Sequence, residues 1–127
     1  MKNPGGTSAK ILIVAAPGSN HGKTLICAGI ARALLDQGHR IALYKMGPDY
    51  LDPQFLEKAT GLQVRQLDYW MQGEDEIGAE LKRAAEHCEY VVVEGVMGLF
   101  DGDFSVAKLA VDFEIPVTLV VDASAMA

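Results

Sequence analysis

The segment Lys10-Ile11-Leu12-Ile13-Val14-Ala15-Ala16 runs directly into Pro17-Gly18-Ser19-Asn20-His21-Gly22-Lys23-Thr24, and a helical spacing of apolar residues opens where the second segment closes. An apolar strand, a glycine-bearing turn and a helix start, in that order, aim backbone N–H groups and the positive end of a helix dipole at one point, where a polyphosphate can be held. Gly18, Ser19, Asn20, His21, Gly22, Lys23 and Thr24 are therefore the expected phosphate cradle. Lys23 would reach the β- and γ-phosphates and Thr24 a magnesium ion. The strict form of the motif has a glycine where this chain has Pro17, with Gly18 one step later. A Gly-Lys-Thr alone is common, but one wedged between a buried-type strand and an alanine-rich helix is not. The bland alternative, a tight turn with a solvated lysine, leaves the Lys-Thr pair unexplained, because a first helical turn favours a carboxylate over a lysine.

Outward from this point, strand and helix signals alternate. Leu25, Ile26, Ala28, Ile30, Ala33, Leu34 and Leu35 give residues 22–37 a helical period, and Gly38 stops it. Residues 40–45 read as a second strand and 53–60 as a short helix ended by Gly61, while 62–73 carry no clear assignment. Glu74, Asp75 and Glu76 open a further helix with Lys82 and Arg83 toward its end, the charge order the macrodipole favours. Residues 90–93 form a third strand, 106–113 a helix, and 117–121 a fourth strand after Pro116. Strands without a polar face, alternating with helices, predict an α/β fold, a P-loop NTPase-like parallel sheet with helices on both faces. Residues 1–9 read as a flexible tail and 10–127 as one domain, with no internal repeat.

The chain has 127 residues, half of them apolar, enough for one core. It lacks an apolar run of about 18 residues and a secretory-type start, so a cytoplasmic, non-membrane protein is expected. Cys27 and Cys88 have neither metal-type nor disulfide-type spacing and read as inert thiols. Seventeen acids against eleven bases, with no basic cluster, argue against nucleic acid as a partner. An acidic protein that binds a polyanion needs local positive charge, which again implies magnesium.

In open parallel sheets, ligands bind beyond the carboxyl ends of the strands. At those ends lie the phosphate loop, then Gly47 to Pro53 with Asp49 and Asp52, then Glu94 to Gly102 with Asp101, and then Asp122. Glu94 follows three valines, and a carboxylate at the end of a buried strand is costly unless paired or metal-bound, which makes it the expected magnesium ligand. Asp49, beside Pro48 and with no helix to cap, is a further candidate. Asp52 reads equally well as an N-cap before Pro53, and Asp101 as half of an Asp-Gly turn. His21 is expected to be a bystander facing solvent, His39 and His87 surface residues, and Tyr69, Trp70 and Met71 an apolar packing patch in preference to a ligand-stacking one.

With these residues in hand, the chain resembles the N-terminal synthetase domain of the cobyrinic acid a,c-diamide synthase family, which includes hydrogenobyrinic acid and nickel-sirohydrochlorin relatives. The resemblance rests on Ala16 through Thr24, Lys45-Met46-Gly47-Pro48-Asp49-Tyr50-Leu51-Asp52-Pro53, Leu67-Asp68-Tyr69-Trp70-Met71, Glu94 through Gly102, and Val120 to Ala123 with Met126-Ala127. It implies a dethiobiotin synthetase-like fold and an ATP-dependent ligase that amidates the a and c acetates of a corrin-type tetrapyrrole. ATP and Mg2+ would be the cofactors, with ammonia derived from glutamine. On that resemblance Lys23 stabilises the transferred phosphoryl group, and Thr24 and Glu94 hold metal. Asp49, Asp52 and Asp101 share metal binding, substrate placement and ammonia attack. The implied partners are a tetrapyrrole polycarboxylate and a glutaminase domain or subunit, with a homodimer as an option.

The family continues after its Asp-Gly pair with a longer loop, whereas Asp103-Phe104-Ser105 here enters the next helix almost at once. The family's synthetase domain also has further strands, so 10–127 is expected to be incomplete at its C-terminus. Two other readings compete: a ParA-like switch or partner-docking nucleotide module, and a dethiobiotin synthetase-like ligase. The switch proteins carry a signature lysine five positions before Lys23, where this chain has Gly18.

Overall fold

The computed structural model describes residues 9–18, 21–47 and 53–124. Along the chain they form β1 (Lys10–Ala15), α1 (Lys23–Asp36), β2 (Ile41–Met46), α2 (Pro53–Thr60), β3 (Val64–Leu67), α3 (Tyr69–His87), β4 (Tyr90–Glu94), α4 (Val106–Asp112) and β5 (Val117–Leu119). The strands make one sheet in the order β3-β2-β4-β1-β5, with every pairing parallel. Parallel neighbours need crossovers, and the helices supply them.

Alternation along the central strands splits the core into two layers. Ile11, Ile13, Tyr44, Met46, Val91 and Val93 face one side, where they pack with Ile77 and Leu81 of α3 and Val106 and Leu109 of α4. Val14, Leu43 and Val92 face the other, against Cys27, Ala28 and Ala31 of α1 and Leu56 of α2. The expected parallel sheet covered on both faces is thus the observed one.

Three expectations about residues 62–74 need correction. Residues 62–73, unassigned from sequence, contain β3 and the start of α3. β3 is an edge strand whose Arg65 is exposed, so it lacks the continuous apolar run that marks the inner strands. α3 begins at Tyr69, not Glu74, because Asp68 caps it: the Asp68 carboxylate accepts from Trp70 N at 2.9 Å and Gln72 Oε1 accepts from Asp68 N at 2.7 Å. Gly73 then interrupts the helix at φ 77°, ψ 167°, a conformation essentially reserved for glycine, so Glu74 reads as a second start. Finally, Tyr69, Trp70 and Met71 do not form one packing patch. Tyr69 is buried, but Trp70 is 77% and Met71 76% exposed.

The last strand is shorter than expected, at Val117–Leu119, and partly exposed because it lies at the sheet edge. His39 is half-buried, its Nδ1 3.3 Å from Glu89 Oε2 and its ring edge-on to Tyr90, while His87 is exposed.

Candidate phosphate site at the carboxyl edge of the sheet

β2, β4 and β1 lie side by side, and their carboxyl ends set out the site. β1 leads through Ala16 and Pro17 to Gly18. The chain is next described at His21 and turns into α1 through Gly22 at φ 82°, ψ 22°, a left-handed conformation that suits glycine. Gly22 has no side chain to cap α1, and no acid lies in its first turn. The start of α1 thus presents the positive end of its dipole to an anion. Lys23 and Thr24 open the helix and are half-buried. Ser19 and Asn20 of the expected cradle, and the candidate acids Asp49 and Asp52, lie outside the described residues.

Lys23 Nζ donates to the Met97 carbonyl at 3.2 Å. Met97 sits in the loop between β4 and α4 with φ 50°, unusual for a side-chain-bearing residue. That loop is fastened to the end of β1 just before the phosphate loop: Gly95 N donates to Val14 O and Leu99 N to Ala16 O, both at 2.8 Å. Gly98 is required there, since a β-carbon would lie 2.5 Å from the Pro17 carbonyl oxygen and 2.7 Å from Asp101 Oδ2. The Asp101 carboxylate accepts from Gly98 N at 2.8 Å and so closes the loop on itself. Its expected turn role is visible, and its side chain reaches the loop backbone.

Glu94 and Lys45 face each other in register on β4 and β2. Both are almost completely buried, and the Lys45 ammonium is bonded to Glu94 Oε2. Among the described residues, Glu94 Oε1 meets no hydrogen-bond donor. The pair lies on the α1 side of the sheet, within electrostatic reach of Cys27. Burial, with Glu94 adding to it, pushes the Cys27 thiol up to about 12 against the opposing pull of Lys45 and Lys23. Lys23, Lys45 and Glu94 therefore all lie within electrostatic reach of Cys27. A buried carboxylate oxygen without a donor among the described residues is an acceptor that a hard divalent cation can use, and Thr24 at the start of α1 brings a hydroxyl to the same edge of the sheet.

His21 does not face solvent as a bystander: its Nδ1 accepts from Asp122 N at 2.8 Å, tying the phosphate loop to the segment after β5. The Asp122 carboxylate accepts from Ser124 N at 2.9 Å, and the Ser124 hydrogen bonds hold it below the usual carboxylate range.

Sequence reasoning gives no role to Lys45 or to the Met97 carbonyl. Lys45 had a signal, being the one charge in the apolar strand Ile41–Met46. Met97 had none, because a backbone carbonyl is invisible in residue type. No helix among the described residues is long and apolar enough to cross a membrane.

Comparison with known proteins matches residues 12–120 to the family described as the CobQ/CobB/MinD/ParA nucleotide binding domain. A cobyrinate a,c-diamide synthase from Herminiimonas arsenicoxydans is 48% identical over 94% of this chain and 27% of its own length. A hydrogenobyrinate a,c-diamide synthase from Stutzerimonas stutzeri is 50% identical over 91% of this chain and 27% of its own. One from Streptomyces coelicolor is 40% identical over 94% and 26%. The chain spans about a quarter of the length of these curated relatives.

Proposed function

The chain belongs to the CobQ/CobB/MinD/ParA nucleotide-binding domain family, and from that premise we propose that it is the ATP-using part of a ligase that amidates the a and c acetates of a corrin-type tetrapyrrole in cobalamin-type biosynthesis. The observation that carries the nucleotide half is the start of α1, entered through left-handed Gly22 and opened by Lys23 and Thr24, at the carboxyl end of β1. The names of relatives at 48% and 50% identity support the acceptor.

In this reaction a carboxylate oxygen of the acceptor attacks the γ-phosphorus of ATP, the bond to the β,γ-bridging oxygen breaks, and ADP leaves. Ammonia then attacks the acyl carbon of the acyl phosphate and sheds its proton, and inorganic phosphate departs with the original carboxylate oxygen. Lys23 exchanges the Met97 carbonyl for phosphate oxygens and stabilises the phosphoryl group in transit. Gly18, Ser19, Asn20, His21 and Gly22 frame the phosphates with backbone donors. Thr24 and Glu94, joined by Asp49, would hold magnesium, which would supply charge neutralisation to the phosphates. Lys45 fixes the Glu94 carboxylate so that Oε1 stays turned to that role. Asp101 shapes the loop beside the transferred group, and Asp52 serves substrate placement or ammonia attack. Ammonia comes from a glutaminase domain or subunit acting on glutamine, and the reaction is cytoplasmic. The test is Lys23→Ala: kcat for ATP-dependent amidation falls by about 10²–10³-fold while far-UV circular dichroism stays the same. Unchanged turnover would contradict the assignment.

A ParA-like switch is the second reading, and the position five before Lys23 bears on it: Gly18 stands there instead of lysine.

A further inference from the structure

On the other side of the same sheet edge is a half-open cavity of about 200 Å³ whose apolar lining has no part in the steps above. Met46, Leu67, Val96, Met97 and Phe104 give it a largely apolar lining, and Trp70 stands at its mouth. The indole leans on its neighbours on one side. The Asp68 cap fixes its backbone, and Gly73 separates its turn from the rest of α3. Its ring meets Phe104 edge-on, with centroids 4.8 Å apart and planes at 88°. Phe104 is in turn stacked on buried Tyr69 at 5.2 Å, and the Tyr69 hydroxyl donates to Asp112 Oδ2 at 2.8 Å. A T-shaped contact engages at most one face of the indole, and at 77% exposure most of the ring lies open. An open indole, braced on one side by Phe104 and set beside an apolar cavity, is the arrangement of a stacking surface rather than of a core residue.

We propose that Trp70 is the stacking platform for the tetrapyrrole acceptor, with the rim of one ring entering the cavity beside Phe104. This rests on the amidation reading above. The cavity is too small for a whole macrocycle but suits one edge of it, and the rest lies over the indole. Met97 links the two sites, since its carbonyl receives Lys23 while its residue also lines the cavity. A ring held here has its peripheral carboxylates one loop away from the phosphate cradle. Asp101 and Asp103 at the cavity wall repel carboxylates, so the apolar ring goes inward and the acetates turn toward Lys23.

The test is calorimetric titration of the protein, Trp70→Ala and Trp70→Phe with cobyrinate and, separately, with ATP. Trp70→Ala is expected to bind cobyrinate about tenfold more weakly. Trp70→Phe should stay within about threefold of the parent, and ATP affinity should be the same in all three. Equal cobyrinate affinity in Trp70→Ala and the parent overturns the inference. So does a parent that binds no cobyrinate, or a loss confined to ATP, which would make Trp70 a base-stacking residue. The amidation reading fails by a different result, a protein that binds cobyrinate through Trp70 yet forms no amide from ATP and ammonia.

Discussion

At the residue scale, the Glu94 and Lys45 pair decides how the site is held. Two charges buried side by side are costly to leave half-made, because removal of one takes a compensating charge from the other, which stays away from water. Glu94→Ala should therefore lower the unfolding free energy by about 3 kcal/mol in urea titration, besides any effect on metal. A change within error would mean that water or other groups already satisfy Lys45. Glu94 was legible in sequence, since an acid after three valines is an anomaly that calls for a partner. Its partner was harder to see, because the register that sets Lys45 opposite Glu94 is a property of the sheet. His21 was misjudged for a similar reason: Asp122, its hydrogen-bond donor, is 101 positions away.

At the scale of elements, the phosphate loop and the loop after β4 behave as one unit. Backbone hydrogen bonds from Gly95 and Leu99, the Lys23 contact to Met97 and the absence of a β-carbon at Gly98 join them. A methyl group at Gly98 would meet a backbone carbonyl, which cannot swing aside as a long side chain can. Gly98→Ala is thus expected to cost about 1–3 kcal/mol of stability and to weaken ATP binding, even though Gly98 need not touch the nucleotide. Thermal denaturation and nucleotide titration together check this, and an unaltered ATP affinity would show the two loops to be independent. The inner strands and α1 were legible because a buried parallel strand and an amphipathic helix each leave a distinct period. β3 and the first turn of α3 were not: the strand is a half-polar edge, and the helix is broken by Gly73.

At the scale of the whole molecule, the α3 face is tied to the sheet by a polar network with a pH signature. Tyr44 donates to Glu80 Oε1 at 2.8 Å, and Arg65 and Arg83 pair with the same carboxylate. Burial pushes Glu80 up, but the hydrogen bonds from Tyr44, Arg83 and Arg65 outweigh it and hold the carboxyl below the usual range. A carboxyl lowered in the fold stabilises it above the ordinary carboxylate pKa, and that contribution is lost as pH falls through the lower folded value. The melting temperature should therefore drop on acidification below about pH 4, and Glu80→Gln should flatten that part of the profile. Parallel curves for the two proteins would remove Glu80 from the acid response.

The covered parallel sheet and the place of the phosphate site at its carboxyl edge both follow from the alternation of strands and helices. What the ligase reading adds is the direction in which the γ-phosphoryl group travels, and oxygen transfer tests that most directly. Amidation would be run with cobyrinate labelled with ¹⁸O in its carboxylates, ATP, magnesium and ammonium chloride, and the released phosphate analysed by mass spectrometry. An acyl phosphate route delivers one ¹⁸O to each inorganic phosphate formed. Unlabelled phosphate accompanying amide formation would contradict it.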